Sequence, residues 1–236
     1  MNMPLNTSAN TNDPIAHARY NMIEQQIRPW NVSDPEVLEL LHQVRREDFV
    51  PAAHRSLAFM DIEIPLRGTP EEGVRTGQCM LAPRVEARLL NDLQVKKHER
   101  VLEIGTGSGY MAALLAHRAK EVLSLEIVPE LADAARANLQ RAGIGNATVR
   151  VADGSQDPLP EGPFDVIVLS GSVAEVPQAL LAKLNDGGRL AAIVGLDPIM
   201  RMTIVQRHGN RFETTQPWDT SSPRLTGFAE PSPFKF

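Results

Sequence analysis

Val101-Leu102-Glu103-Ile104-Gly105-Thr106-Gly107-Ser108-Gly109-Tyr110 is the stretch whose reading decides the fold of this chain. A short apolar run enters a turn with glycines at three alternate positions, and apolar residues from Met111 to Ala116 follow at once as a helix pattern. Glycines in alternation let the backbone turn sharply and approach a ligand with no Cβ in the way. The helix opening behind them directs its N–H groups and the positive end of its dipole at that ligand. The unit reads as the first strand-turn-helix of a doubly wound α/β domain that carries a nucleotide-like ligand.

The spacing separates the candidate ligands. A dinucleotide turn takes Gly-x-Gly-x-x-Gly, whereas Gly105, Gly107 and Gly109 give Gly-x-Gly-x-Gly, and Tyr110 stands where the third dinucleotide glycine belongs. Glu103, two residues before the first glycine, is poorly matched to a pyrophosphate. A carboxylate there suits a ligand with cationic groups, such as the ammonium and sulfonium of S-adenosylmethionine. The segment resembles motif I of the class I S-adenosylmethionine-dependent methyltransferases. That resemblance puts Glu103, Gly105, Thr106, Gly107, Gly109 and Tyr110 around the cofactor and its product S-adenosylhomocysteine.

Composition narrows the class. The 236 residues carry 24 basic and 29 acidic side chains, a net charge of −5, with no long basic run, which argues against a nucleic-acid partner held by phosphate contacts. Cys79 is the single cysteine, so no intrachain disulfide and no multi-cysteine metal site is expected, and no metal is predicted. Residues 1–14 are rich in Asn, Thr and Ser without an apolar signal core and read as a disordered lead-in. No apolar run is long enough for a bilayer, so no membrane partner and a cytoplasmic location are expected. The chain specifies no oligomeric state.

Three further regions are expected: a helical and loop extension over 15–82, a cofactor-binding domain over 83–217 and a C-terminal strap over 218–236. In the first, residues 15–27 carry helical spacing stopped by Arg28-Pro29. Ser33 is the expected cap of a helix through Leu41, and 68–73 reads as an exposed loop. In the second, helices over 83–93, 129–142 and 176–184 alternate with strands over 121–125, 147–151, 164–169 and 189–194. Residues 200–207 and 211–216 flank His208-Gly209-Asn210 as a hairpin. The fold class is α/β: a Rossmann-like class I methyltransferase, its mainly parallel sheet closed by an antiparallel hairpin.

Glu126 ends a strand about 20 residues past the glycine turn, where a carboxylate accepts from both ribose hydroxyls. Ile127 beside it is expected against the adenine ring. Asp153-Gly154 follows the next strand, at the edge that contacts the adenine amino group in the family. Ser170 follows the fourth strand at the cofactor's edge, in Leu169-Ser170-Gly171-Ser172. No Asn/Asp-Pro-Pro-Tyr stands there, which argues against a base-amine acceptor.

Upstream segments narrow the resemblance. Met22-Ile23-Glu24-Gln25-Gln26-Ile27-Arg28, Asp34-Pro35-Glu36-Val37-Leu38, Val44-Arg45-Arg46-Glu47-Asp48-Phe49-Val50-Pro51, Ile64-Pro65-Leu66 and Gly77-Gln78 are similar to the N-terminal signature of the protein-L-isoaspartate (D-aspartate) O-methyltransferases. The resemblance implies methyl transfer to the free α-carboxylate of L-isoaspartyl residues in damaged proteins or peptides. The ester then closes to a succinimide that reopens to a normal aspartyl bond. The chain departs from the family at one place: Gly77-Gln78 is followed by Cys79-Met80-Leu81-Ala82-Pro83, so Leu81 occupies the family's active-site serine position. No catalytic residue is assigned, Gln78 and Cys79 being the nearby candidates. Weak isoaspartyl activity, a different acceptor, or a non-catalytic cofactor-binding adaptor are the readings Leu81 opens.

Overall fold

A computed structural model describes residues 13–230, so all but the last two residues of the expected lead-in, and Phe234 and Phe236 of the strap, lie outside the described residues. Apolar runs without alternation form the central strands, because a parallel strand is buried on both faces. In β6 (Phe164–Val173), Val166 and Val168 face one apolar layer while Ile167 and Leu169 face the other. The sheet has seven strands in the order β5-β4-β3-β6-β7-β8-β9. β3 (Arg100–Ile104), β4 (Glu121–Glu126), β5 (Ala147–Val151), β6 and β7 (Leu184–Leu196) run parallel. β8 (Ile199–His208) and β9 (Arg211–Asp219) close it antiparallel, as the hairpin signal predicts.

Chain order reverses between β3 and β6. From β3 the chain steps outward through β4 to β5, then returns to β6 on the opposite side. Strand ends splay apart at such a switch point, and the crevice at their carboxyl ends is where an open α/β sheet takes a ligand. α5 (Tyr110–Arg118) and α6 (Pro129–Arg141) follow β3 and β4 with short connections, so their N-termini face that crevice.

The extension packs on one layer. The turn that follows α1 (Pro14–Asn21), with α2 (Pro35–Gln43) and α4 (Pro83–Leu93), brings Met22, Ile23, Val37, Leu41, Leu89 and Leu90 into one cluster with α5. β1 (Ile64–Pro65) and β2 (Cys79–Met80) form a small antiparallel ladder beside it. Several local expectations are corrected. Arg28-Pro29 does not stop the first helical stretch: a π-type turn over Met22–Ile27 and a 3₁₀ turn over Arg28–Trp30 carry it to Asn31, at φ 62°. Asp34, not Ser33, caps α2, its carboxylate accepting from the Glu36 N–H. The expected loop is α3 (Pro70–Thr76), opened by a capping box in which Glu72 N–H donates to Thr69 Oγ1 and Thr69 N–H to the Glu72 carboxylate. The expected helix over 176–184 shrinks to α7 (Gln178–Leu181), because Leu184 already pairs with Phe164 as the first residue of β7.

A strap crosses the carboxyl edge after β9. Ser172 N–H donates to the Pro223 carbonyl at 2.8 Å, and Leu225 N–H returns to the Ser172 carbonyl at 2.9 Å. Leu225 and Phe228 pack on the second apolar layer, which anchors the segment.

Candidate active site

Glu126 organises the crevice. It ends β4 at 5% exposure, with Oε2 accepting from Gly107 N–H at 2.8 Å and Oε1 from Val128 N–H at 3.1 Å. Each oxygen keeps a lone pair for a further donor, so the carboxylate both fixes the glycine turn and offers two acceptors to a diol. Gly105 sits at φ +92°, and a Cβ there would stand 2.8 Å from Leu225 Cδ2. Gly77 sits at φ +72°, and a Cβ there would stand 2.5 Å from the Arg224 carbonyl oxygen. Side chains are excluded at both places by backbone conformation and by the strap overhead.

The cleft has two kinds of wall. One end is bounded by Glu126, Ile127, Leu131 and Gly154. The other is bounded by Thr76, Gly77, Gln78, Cys79 and Ser170, under Arg224, Leu225 and Thr226 of the strap. Of the residues singled out in the sequence, Gln78, Cys79, Gly105, Gly107, Glu126, Ile127, Gly154 and Ser170 meet here. The others stand elsewhere. Glu103 lies behind the wall with no exposure, its oxygens accepting from Ser124 Oγ and Ser170 Oγ at 2.7 Å each. Thr106 Oγ1 shares a 2.6 Å hydrogen bond with Ser124 Oγ, which extends this hydroxyl chain instead of facing a ligand. Gly109 caps α5 in the left-handed region at φ 83°. Tyr110 points the other way, into the core, with its ring 5.4 Å from Phe49. Asp153 closes its own turn, accepting from Ser155 N–H and Oγ and from Gln156 Nε2.

Leu81 is a core residue, not a cleft residue. It is 5% exposed, and its carbonyl accepts from Arg46 Nη2 at 2.6 Å. Arg46 is itself fully buried, donates from Nη1 to the Ala58 carbonyl at 3.3 Å, and lies 3.7 Å from Glu86. Burial pushes Glu86 up to about 8 against the pull of Arg46. The polar side chains at this end are Thr76, Gln78, Cys79, Ser170, Arg224 and Thr226, of which the sequence reading misses Thr76 and the two strap residues, as it does Leu66. Gln78 Oε1 accepts from Arg67 Nε at 2.7 Å, which fixes its amide. Burial, and then the nearby Glu63 charge, raise the Cys79 thiol to about 11, which favours its neutral form at pH 7.

The cleft suits an uncharged-base nucleoside with a polar sugar at the Glu126 end. It offers no assembled nucleophile and base, and no group of three or more His, Cys, Asp or Glu placed to hold a metal occurs among the described residues. No helix among them is long and apolar enough to cross a membrane.

Comparison with known proteins agrees with this geometry. The model of the protein-L-isoaspartate(D-aspartate) O-methyltransferase family matches residues 17–219. A protein-L-isoaspartate O-methyltransferase of Methanoculleus marisnigri is 40% identical over 202 residues, covering 86% of this chain and 88% of that protein. One from Rhodopseudomonas palustris is 43% identical over 182 residues, covering 77% of this chain and 71% of that protein. In fold, the chain is similar to a Plasmodium falciparum enzyme of that description solved in complex with S-adenosyl-L-homocysteine: TM-score 0.71 at 20% identity, covering 90% of this chain and 99% of that one. With its family signature spanning nearly the whole described chain and a class I methyltransferase cleft at the switch point of its sheet, this chain belongs to the protein-L-isoaspartate(D-aspartate) O-methyltransferase family.

Proposed function

We propose that the chain transfers the methyl group of S-adenosylmethionine to the free α-carboxylate of L-isoaspartyl residues in proteins or peptides and releases S-adenosylhomocysteine. The observation that carries this reading is Glu126, a strand-end carboxylate that pins Gly107 and keeps acceptor capacity toward the cleft. Glu126 would hold the ribose hydroxyls, Ile127 and Leu131 would flank the adenine, and the bare backbone of Gly105 and Gly107 leaves room for the methionine part. When bound, the cofactor supplies an electrophilic methyl on a sulfonium.

The chain's own residues then have little chemistry to perform. A free carboxylate is ionised at neutral pH, so no general base is needed. Thr76, Gln78 and Ser170 are placed to orient the acceptor, while Leu66 and Leu225 exclude water from it. Catalysis then rests on alignment and partial desolvation of an anion. A non-catalytic adaptor is disfavoured, because the residue that suggested it, Leu81, packs in the core. The single cysteine suits a reducing compartment, and we place the protein in the cytoplasm with protein substrates as its partners. Incubation with methyl-labelled cofactor and an isoaspartyl peptide tests the reading: label should appear on the peptide as a base-labile ester. A protein that binds the cofactor but leaves the peptide unlabelled overturns it.

A further inference from the structure

Glu103 is a fully buried carboxyl group whose side-chain hydrogen-bond partners are two hydroxyls. Its oxygens accept from two hydroxyls, Ser124 Oγ and Ser170 Oγ. The titratable groups that face it are Glu126 at the end of β4 and, behind it, Glu86 on α4, which has Arg46 beside it at 3.7 Å. Among the described residues it forms no ion pair with any Lys, Arg or His. Removing an anion from water without a cation beside it costs several kcal/mol, so such a group keeps its proton instead. Burial, reinforced by the Glu126 charge and opposed by the two hydroxyls, raises Glu103 to about 7.

Glu103 does not reach the cleft, but Ser170 does, one hydrogen bond away. A hydroxyl between a carboxyl and a cleft has two settings. When the carboxyl is protonated and donates to Ser170, the serine turns its own O–H toward the cleft. When the carboxyl is ionised, Ser170 donates to it and turns lone pairs toward the cleft. The first setting suits a neutral group in the cleft and the second a cation.

We propose that the Glu103–Ser170 pair makes the cleft distinguish a cationic sulfonium ligand from the neutral thioether that remains after methyl loss, by releasing a proton when the first binds and regaining it when the second forms. The inference rests on the methyltransferase reading above. Only an O–H bond is exchanged: the proton leaves the Glu103 carboxyl through the Ser170 hydroxyl to water in the cleft, and returns by the same route. The thioether product then faces a neutral wall, and the sulfonium an ionised one. Glu103 acts through Ser170 and is a positioning residue.

Calorimetric titration of the full chain with S-adenosylmethionine and with S-adenosylhomocysteine, each in two buffers of different ionisation enthalpy, counts the protons exchanged. Near pH 6 the sulfonium ligand should release about one proton more than the thioether, and below pH 7 the ratio of their affinities should rise by up to about tenfold per pH unit. Above that pH the ratio should level off. Glu103→Gln should abolish the pH dependence of the ratio, and Ser170→Ala, which keeps the acid but cuts the relay, should diminish it. Equal proton counts for the two ligands would overturn the inference alone, as would an unchanged pH dependence in Glu103→Gln. If that variant does not fold, the counts on the unmodified chain and on Ser170→Ala decide. Binding of neither ligand would overturn the functional reading, and this inference with it.

Discussion

Truncating Glu126 separates its two tasks. In Glu126→Ala the cleft loses the acceptor for the ribose hydroxyls, and the N–H groups of Gly107 and Val128 lose partners at 2.8 and 3.1 Å. Both N–H groups border the cleft, so water replaces the carboxylate in the free protein and the fold loses little. In the complex the missing group is charged, and a hydrogen bond to a charged partner is worth roughly 1.5–3 kcal/mol. The dissociation constant for S-adenosylhomocysteine should therefore rise about ten- to hundredfold, since each 1.4 kcal/mol is a factor of ten. Glu126→Gln should fall between the two, because its carbonyl oxygen serves one N–H group while its amide nitrogen opposes the other. Calorimetric titration gives the affinities, and urea midpoints on the same samples show whether the fold is intact. An unchanged affinity in a folded Glu126→Ala protein would move the ribose partner elsewhere and refute the assignment.

Arg46→Met leaves the Leu81 and Ala58 carbonyls without their buried donor, and should lower stability by roughly 2–5 kcal/mol in urea unfolding, at about 1–3 kcal/mol per unsatisfied group; a loss under about 1 kcal/mol would show that Arg46 does not tie these segments together. Glu86 binds its proton more tightly when folded, at about 8, than in the unfolded chain. Its contribution to stability is thus fully present at acid pH, below the unfolded carboxyl range, and is lost as pH rises toward 8. Glu86→Gln should show a shallower decline between pH 5 and 8 than the unmodified chain, and identical declines would contradict the assignment. The Cys79 thiol, raised to about 11, should resist alkylation at pH 7, and Cys79→Ser should keep methyl transfer within a few-fold; its abolition would restore Cys79 as a participant.

The glycine turn and the acids around it were legible because they are local. Gly105, Gly107 and Glu126 follow from strand period and spacing, and they meet in the cleft. The direction of a side chain is a tertiary property, which is why Tyr110, adjacent to the turn, faces Phe49 instead of the ligand. Leu81 is placed by its position in a motif, whereas in the fold its side chain packs in the core and Thr76, Gln78 and Cys79 stand at the wall. Arg224, Leu225 and Thr226 carried no local signal for the cleft, since Ser172, far back in the chain, brings them there. The capping box at Thr69 and Glu72 was readable, but flanking glycines and a proline made the segment look like a loop.

The acceptor proposed for this chain is the α-carboxylate of an isoaspartyl linkage. Its most direct measurement is methyl transfer from labelled S-adenosylmethionine to two peptides of one sequence, one with an isoaspartyl and one with a normal aspartyl bond, under conditions where cofactor binding is saturated. Label should enter the isoaspartyl peptide alone and be released as methanol by base. Equal labelling of both peptides, or none of either while the cofactor is bound, would contradict it.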